Sequence, residues 1–250
     1  MKQSQPCCLC SQIAGDPDND LLSRLLDQDQ PYQRRVPIET NNFVIIPSIG
    51  PLTPGHVLLC PKRHVTSFAC LSADVESEFV LLKRRVAGLL SERFKAPIHC
   101  FEHGSDKNSS RVVCTVDHAH LHLFPAAAEI SNVILSKFEW KVIGSELAEL
   151  QEFVKEGEYL YYETPEHQCY AAKQEQEFES QIMRRLVGAA LGRAEVWNWR
   201  EHPGLTEVKL TYAAISPENC VRFRVSSKAS QGSGEQLANE PTPESAATAG

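Results

Sequence analysis

Polar and apolar residues alternate most strictly over residues 118–124, where His118, His120 and His122 are separated by Ala119 and Leu121 and followed by Leu123. That alternation is the period of a half-buried strand. Residues i, i+2 and i+4 of a strand share a face, so the histidines line one side at roughly 6.5 Å intervals. Ala119, Leu121 and Leu123 then face the core, and Pro125, which lacks a ladder donor, closes the strand. Upstream, the apolar run 43–46 ends at Pro47 and predicts a buried strand. A turn over 48–55 carries Gly50, Pro51, Pro54 and Gly55, and residues 56–60 return, which predicts an antiparallel pair. Val75, Phe79, Leu82, Val86 and Leu89 follow helical spacing, so a helix over 73–95 covers the sheet. Ser72 is placed to cap it, and Asp74 and Glu76 suit its positive end. A third strand is expected over 98–103, and a fourth over 112–116 runs into the histidine strand.

The pattern changes after residue 128. Leu147, Leu150 and Val154 mark a short helix capped by Ser145 and stopped at Gly157. Tyr159, Leu160, Tyr161 and Tyr162 read as a strand, and 169–172 as its partner across a turn at Pro165. Phe178, Ile182, Leu186 and Ala190 predict a helix over 175–191 with Gly192 at its C-cap. Trp197 and Trp199 are anchors that pack this helix onto the rest, and 208–215 reads as a last strand. Residues 11–41 are polar; Leu21, Leu22, Leu25 and Leu26 suggest one short helix, and 27–35 an insertion. The tail 226–250 has one large aliphatic, Leu237, and no aromatic residue, so it is expected to be disordered. The organisation expected is 1–128, a smaller α+β region over 129–225, and the tail.

Composition narrows the function. An apolar fraction of 42% in 250 residues allows a sizeable core, and a net charge of −7 argues against binding nucleic-acid polymers. No apolar run reaches the ~18 residues of a membrane span, and the N-terminus lacks the apolar segment of a signal peptide. A cytoplasmic protein is expected. There Cys60, Cys70, Cys100 and Cys114, all in apolar surroundings, stay reduced as small core residues. Cys7 and Cys10 form a C-x-x-C pair, a spacing shared by zinc sites, redox pairs and plain packing.

Imidazole titrates near ~6.5 and suits chemistry at neutral pH, so histidines on one face make a candidate site. The loop 104–111 beside it supplies Ser109 and other small polar residues able to cradle phosphate oxygens, with charge from Lys107 and Arg111. From the residues alone, two chemistries stay open. The histidines act directly on a phosphate, or all three hold a catalytic metal ion as in a metal-dependent hydrolase.

The run from His118 to Leu123, together with the stretch from Pro51 to His64, resembles the signature of the histidine-triad (HIT) nucleotide hydrolases and transferases. The resemblance covers 5–128, and Tyr159 to Tyr162 and Trp197 to Arg200 are similar to the C-terminal extension of longer members. It implies an α+β fold: an antiparallel sheet with an amphipathic helix, plus an extension. It implies a nucleotide substrate: a nucleoside phosphoanhydride, a phosphoramidate or a dinucleoside polyphosphate. His120 would be the nucleophile, forming a nucleotidyl-histidine, and His122 would contact the leaving oxygen. His56, on a neighbouring strand, would orient the triad. Ser48 stands where many members use Asp or Asn to hold the ribose, and Thr115 matches a phosphate-binding hydroxyl. Glu102 occupies a position often held by Asn beside the phosphates, where a carboxylate would repel them. Zinc-bearing members imply a structural zinc on Cys7, Cys10, His64 and His118, with Cys8 to spare. The assembly expected is a homodimer, or a monomer whose extension covers the dimer face. A module that binds nucleotide without turning it over is the alternative that Ser48 and Glu102 favour.

Overall fold

The computed structural model describes residues 7–16, 18, 36–105, 118–144, 147–155, 157–173 and 178–216. The expected helix near 21–26, the insertion 27–35, Ser109, Cys114, Thr115, the strand 112–116, the Ser145 cap and the tail 226–250 lie outside them.

The first half contributes β1 (Ile38–Glu39), β2 (Phe43–Pro47), β3 (Val57–Pro61), β4 (Ile98–Ser105) and β5 (Leu121–Pro125). The second contributes β6 (Lys141–Ile143), β7 (Glu158–Glu163) and β8 (Cys169–Ala172). All eight join one sheet in the order β1-β2-β3-β5-β4-β7-β8-β6, antiparallel at every pairing. The join between the halves is the β4–β7 ladder, from Cys100↔Glu163 to Ser105↔Glu158. The sheet therefore runs through residue 128 without a break.

Both faces are buried, which explains why β2 and β3 read as continuous apolar runs. On one face Phe43, Ile45, Val57, Leu59, Leu121, Leu123, Tyr159 and Tyr161 meet helix α2 (Glu76–Phe94) and helix α4 (Leu147–Val154). On the other, Val44, Ile46, Leu58 and Cys60 are covered by helix α1 (Cys8–Ala14) through Leu9 and Ile13. Farther along that face Phe101, Phe124, Leu160 and Tyr162 pack against helix α3 (Ile130–Leu135) and helix α5 (Ile182–Ala190). No helix among the described residues is long and apolar enough to cross a membrane.

Several elements differ from the expectations. Helix α1 was not expected, although Leu9 and Ile13 are spaced i, i+4. The expected helix over 73–95 opens with a 3-10 turn at Ala73–Val75, and Ser72 makes no side-chain cap bond. Helix α2 buries Leu90 rather than Leu89 most deeply. The 208–215 segment is not a strand but part of helix α6 (Leu205–Ile215). Its buried residues Val208, Thr211 and Ile215 sit at i, i+3 and i+7, the spacing of a helix face. Val208 and Ile215 are β-branched, and that chemistry favoured the wrong element.

One buried ion pair ties the two halves together. Lys83 of α2 meets Glu163 of β7 with both side chains 4% exposed, and Tyr161 also donates to Glu163. Burial pushes Lys83 down and Glu163 up, but each partner's charge outweighs this, so both stay ionised at neutral pH. Removing one partner leaves a buried charge, so Lys83→Met is expected to cost about 3–5 kcal/mol. The double variant Lys83→Met/Glu163→Leu should recover most of that loss. Denaturant unfolding of both variants checks the expectation.

Candidate active site and metal centre

Strand β5 runs between β3 and β4, with His122 opposite Leu58 on one side and Phe101 on the other. The Phe101 ring stacks on His122 with centroids 4.2 Å apart and planes 14° from parallel, fixing the imidazole plane. His120 stands just before the strand, its ring centroid 5.0 Å from that of His122. Strict alternation does not reach His118, because the ladder begins only at Leu121. As expected, Ala119, Leu121 and Leu123 face the core.

Hydrogen bonds assign a proton to each ring. The Leu52 N–H donates to His56 Nδ1 at 3.0 Å, so that nitrogen is an acceptor. His56 therefore carries its proton on Nε2 and donates it to His122 Nδ1 at 2.9 Å. By the same logic, His122 carries its proton on Nε2. His120 donates Nδ1–H to the His118 carbonyl at 2.6 Å, which leaves its Nε2 with a lone pair. Two neighbouring rings thus carry complementary atoms, a base on one and an N–H on the other.

Burial first, and then charge, keeps these rings neutral. His56 and His122 are held well below the ordinary histidine value by loss of water, reinforced by Arg184 and by the other imidazoles. His120 is lowered by burial too, although its bond to the His118 carbonyl pulls the other way. A folded-state value below the unfolded value means that the unfolded chain binds the extra proton first. The stabilising contribution of His56 and His122 is therefore complete above pH ~6.5 and falls away as the pH drops below it. Histidine 15N NMR is expected to show both rings uncharged as the pH is lowered through 6.5, where an ordinary imidazole is half protonated.

His118 serves a different cluster. Its Nε2–H donates to the Pro61 carbonyl at 2.8 Å, which aims Nδ1 at the cysteines. That nitrogen lies 3.6 Å from Cys7 Sγ and 3.4 Å from Cys10 Sγ, and His64 Nδ1 lies 3.3 Å from Cys10 Sγ. One ligand atom from each of Cys7, Cys10, His64 and His118 falls within 4.8 Å of the others. Helix α1 presents the cysteines at its start, while His64 and His118 flank β3 and β5. Burial, and then the neighbouring thiols, push Cys10 up to about 12. Ionised, two thiolates this close would need a cation between them, and two thiolates with two imidazoles fit the tetrahedral preference of Zn²⁺. Cys8 is not part of the set.

The remaining expected residues fall differently. Ser48 is buried with its hydroxyl donating to the Ile49 carbonyl, and its N–H donates to the His56 carbonyl at 3.0 Å. Glu102 is a correction: it does not stand beside the triad. Phe101 shares a face with His122, so the next residue of β4 points through the sheet to the α2 side. There Glu102 accepts from Tyr159 and from the Phe68 N–H, and burial pushes it up to about 7. A carboxylate on the far face repels nothing bound at the histidines.

Sequence reasoning missed the Leu52 N–H, Phe101 and Arg184. A backbone donor leaves no signal in the sequence. Arg184 does leave one: it is a charged residue between Met183 and Val187 on the buried stripe of α5.

Residues 31–129 match the HIT domain family. A bis(5'-adenosyl)-triphosphatase of Dictyostelium discoideum is 32% identical over 84 residues, 34% of this chain and 54% of that protein. A bifunctional bis(5'-adenosyl)-triphosphatase/adenylylsulfatase of Arabidopsis thaliana is 32% identical over 78 residues, 31% of this chain and 42% of that protein. The chain thus spans about half the length of these relatives. Among solved structures, a zinc-bound histidine triad family protein from Mycobacterium smegmatis aligns at 25% identity with a TM-score of 0.35. That alignment covers 49% of this chain and 76% of the other.

Proposed function

We propose, from the premise that residues 31–129 are a HIT domain, that the chain hydrolyses or transfers the nucleotidyl group of a nucleoside phosphoanhydride, phosphoramidate or dinucleoside polyphosphate. The observation that carries the reading is the pair of complementary tautomers. His120 Nε2 has a lone pair, and His122 Nε2 has a proton, on rings 5.0 Å apart. The His120 lone pair attacks the phosphorus that bears the nucleoside, forming an N–P bond as the P–O bond to the leaving group breaks. A neutral nucleophile approaches an anionic phosphate without like-charge repulsion. The positive charge that develops on the ring is steadied by the Nδ1–H bond to the His118 carbonyl. His122 donates its Nε2–H to the leaving oxygen, which departs with the electron pair. Water then attacks the phosphorus, its proton passes to solvent, and the N–P bond breaks to restore neutral His120. One hard displacement becomes two easier ones.

Cys7, Cys10, His64 and His118 would hold a Zn²⁺ ion. With four protein ligands and no position left for water, the ion would cross-link helix α1 to the ends of β3 and β5. Thiolates kept free as ligands suit the reducing cytoplasm. Ser48, Ser109 and Thr115 are assigned to ribose and phosphate contacts. Because the matching relatives carry the bis(5'-adenosyl)-triphosphatase name, the first test is a diadenosine triphosphate assay, run beside nucleoside phosphoramidates and sugar nucleotides. Release of a nucleoside monophosphate from one of them supports the reading. Binding of all three classes with no product would leave the non-catalytic module instead.

A further inference from the structure

The turn between β2 and β3 supplies the Leu52 N–H that sets the proton positions on His56 and His122, and the C-terminal segment grips this turn at four points. Arg184 of α5 donates to the Gly50 carbonyl, and also to the Trp197 and Val196 carbonyls at 3.0 Å each. The Gly50 N–H donates to the Pro203 carbonyl at 2.8 Å. Arg193 donates to the Leu52 carbonyl at 3.2 Å. The Gly55 N–H donates to Thr211 Oγ1 of α6 at 3.0 Å. Packing reinforces the grip. Gly50 has φ +61, and a Cβ added there would lie 2.3 Å from the Trp199 Cβ, so only glycine fits. Leu52 itself is buried with Met183, Val187 and Val196.

We propose that Arg184 and Arg193 are positioning residues for the reaction, so that the C-terminal segment sets the His56–His122 pair through the 50–55 turn. The inference rests on the proposed function. The chain of contacts runs from Arg184 to the Gly50 carbonyl, two residues from Leu52, while Arg193 holds the carbonyl of Leu52 itself. The Leu52 N–H then holds His56 Nδ1, and His56 Nε2–H holds His122 Nδ1. If the turn shifts, Leu52 no longer dictates which His56 nitrogen carries the proton. His122 then loses the partner that keeps its own proton on Nε2, facing the leaving oxygen. Arg184 is suited to this work because its planar fork reaches three carbonyls at once, which a lysine cannot do. It is 6% exposed, and its charge also bears on His56, His120 and His122, which joins the clamp to the site electrostatically.

The test is the dependence of rate on the leaving group. The full-length protein and its Arg184→Lys and Arg193→Gln variants are assayed on nucleoside 5'-aryl phosphates running from 4-nitrophenyl to phenyl. Wild-type turnover should depend weakly on the aryl group, because His122 stabilises the departing oxygen. Both variants should lose roughly 10-fold more rate on the phenyl ester than on the 4-nitrophenyl ester, the scale of one well-placed hydrogen bond. A merely structural role would lower all esters by the same factor, and that result, or no change at all, would overturn the inference. Arg193 is exposed, so Arg193→Gln carries the test even if Arg184→Lys does not fold. Wild-type protein that cleaves neither the esters nor diadenosine triphosphate would overturn the proposed function, and this inference with it.

Discussion

Replacing His120 with alanine should lower turnover by more than about 10⁴-fold, the scale seen when a covalent nucleophile is removed, while the fold persists. His120 stands outside the β5 ladder and is only partly buried, and its Nδ1–H donates to the His118 carbonyl. Its removal therefore costs the fold about one hydrogen bond, roughly 1 kcal/mol. No neighbouring ring can replace it. His122 Nδ1 accepts from His56, and His118 Nδ1 points at the cysteines, so neither presents a lone pair where His120 Nε2 does. His122→Ala is expected to act differently, slowing poor leaving groups most. Steady-state assays on diadenosine triphosphate, with thermal unfolding run in parallel, check both. A His120→Ala protein that keeps near-normal turnover would refute the assignment.

The second large effect is expected from the cysteine cluster. Cys10→Ser should remove bound zinc and lower stability by about 5 kcal/mol or more, given the 10–16 kcal/mol that structural zinc contributes in small domains. At roughly 2–4 °C per kcal/mol for a chain of this size, the midpoint falls by 10 °C or more. Activity should fall as a consequence, because His118 lies two residues from His120 and its carbonyl holds the His120 ring. Zinc should leave in acid, since thiolates and imidazoles bind metal only when deprotonated. Elemental analysis of protein purified without chelator, before and after the substitution, is the measurement. Protein that carries no zinc and melts at the same temperature as Cys10→Ser would return the cysteines to ordinary packing.

These two sites differ in how far they could be read from the chain. Strands β2, β3, β7 and β8 are legible as apolar and aromatic runs ended by proline or a polar turn, and α2 because its apolar spacing is helical, whereas β4 mixes His99, Glu102 and His103 with its apolar residues. The four residues of the cysteine cluster came from a likeness of motifs, and the structure brings their ligand atoms together. What could not be read depends on which face a residue takes. Glu102 is one residue from Phe101, and only the Phe101↔His122 register puts its carboxylate on the far side of the sheet. The protons on His56 and His122 depend on a backbone N–H that every residue except proline carries. The clamp on the 50–55 turn comes from residues more than 130 positions away, such as Arg184. Helix α6 was misread because its β-branched residues outweighed their helical spacing.

In the proposed reaction His120 becomes covalently nucleotidylated. Intact-mass spectrometry of the protein mixed rapidly with diadenosine triphosphate, quenched in alkali to protect the N–P bond, tests it directly. One adenylyl adduct per chain is expected, mapped to His120, appearing before product accumulates and absent in His120→Ala. Turnover that continues with no adduct at any time, or an adduct that persists in His120→Ala, would contradict it.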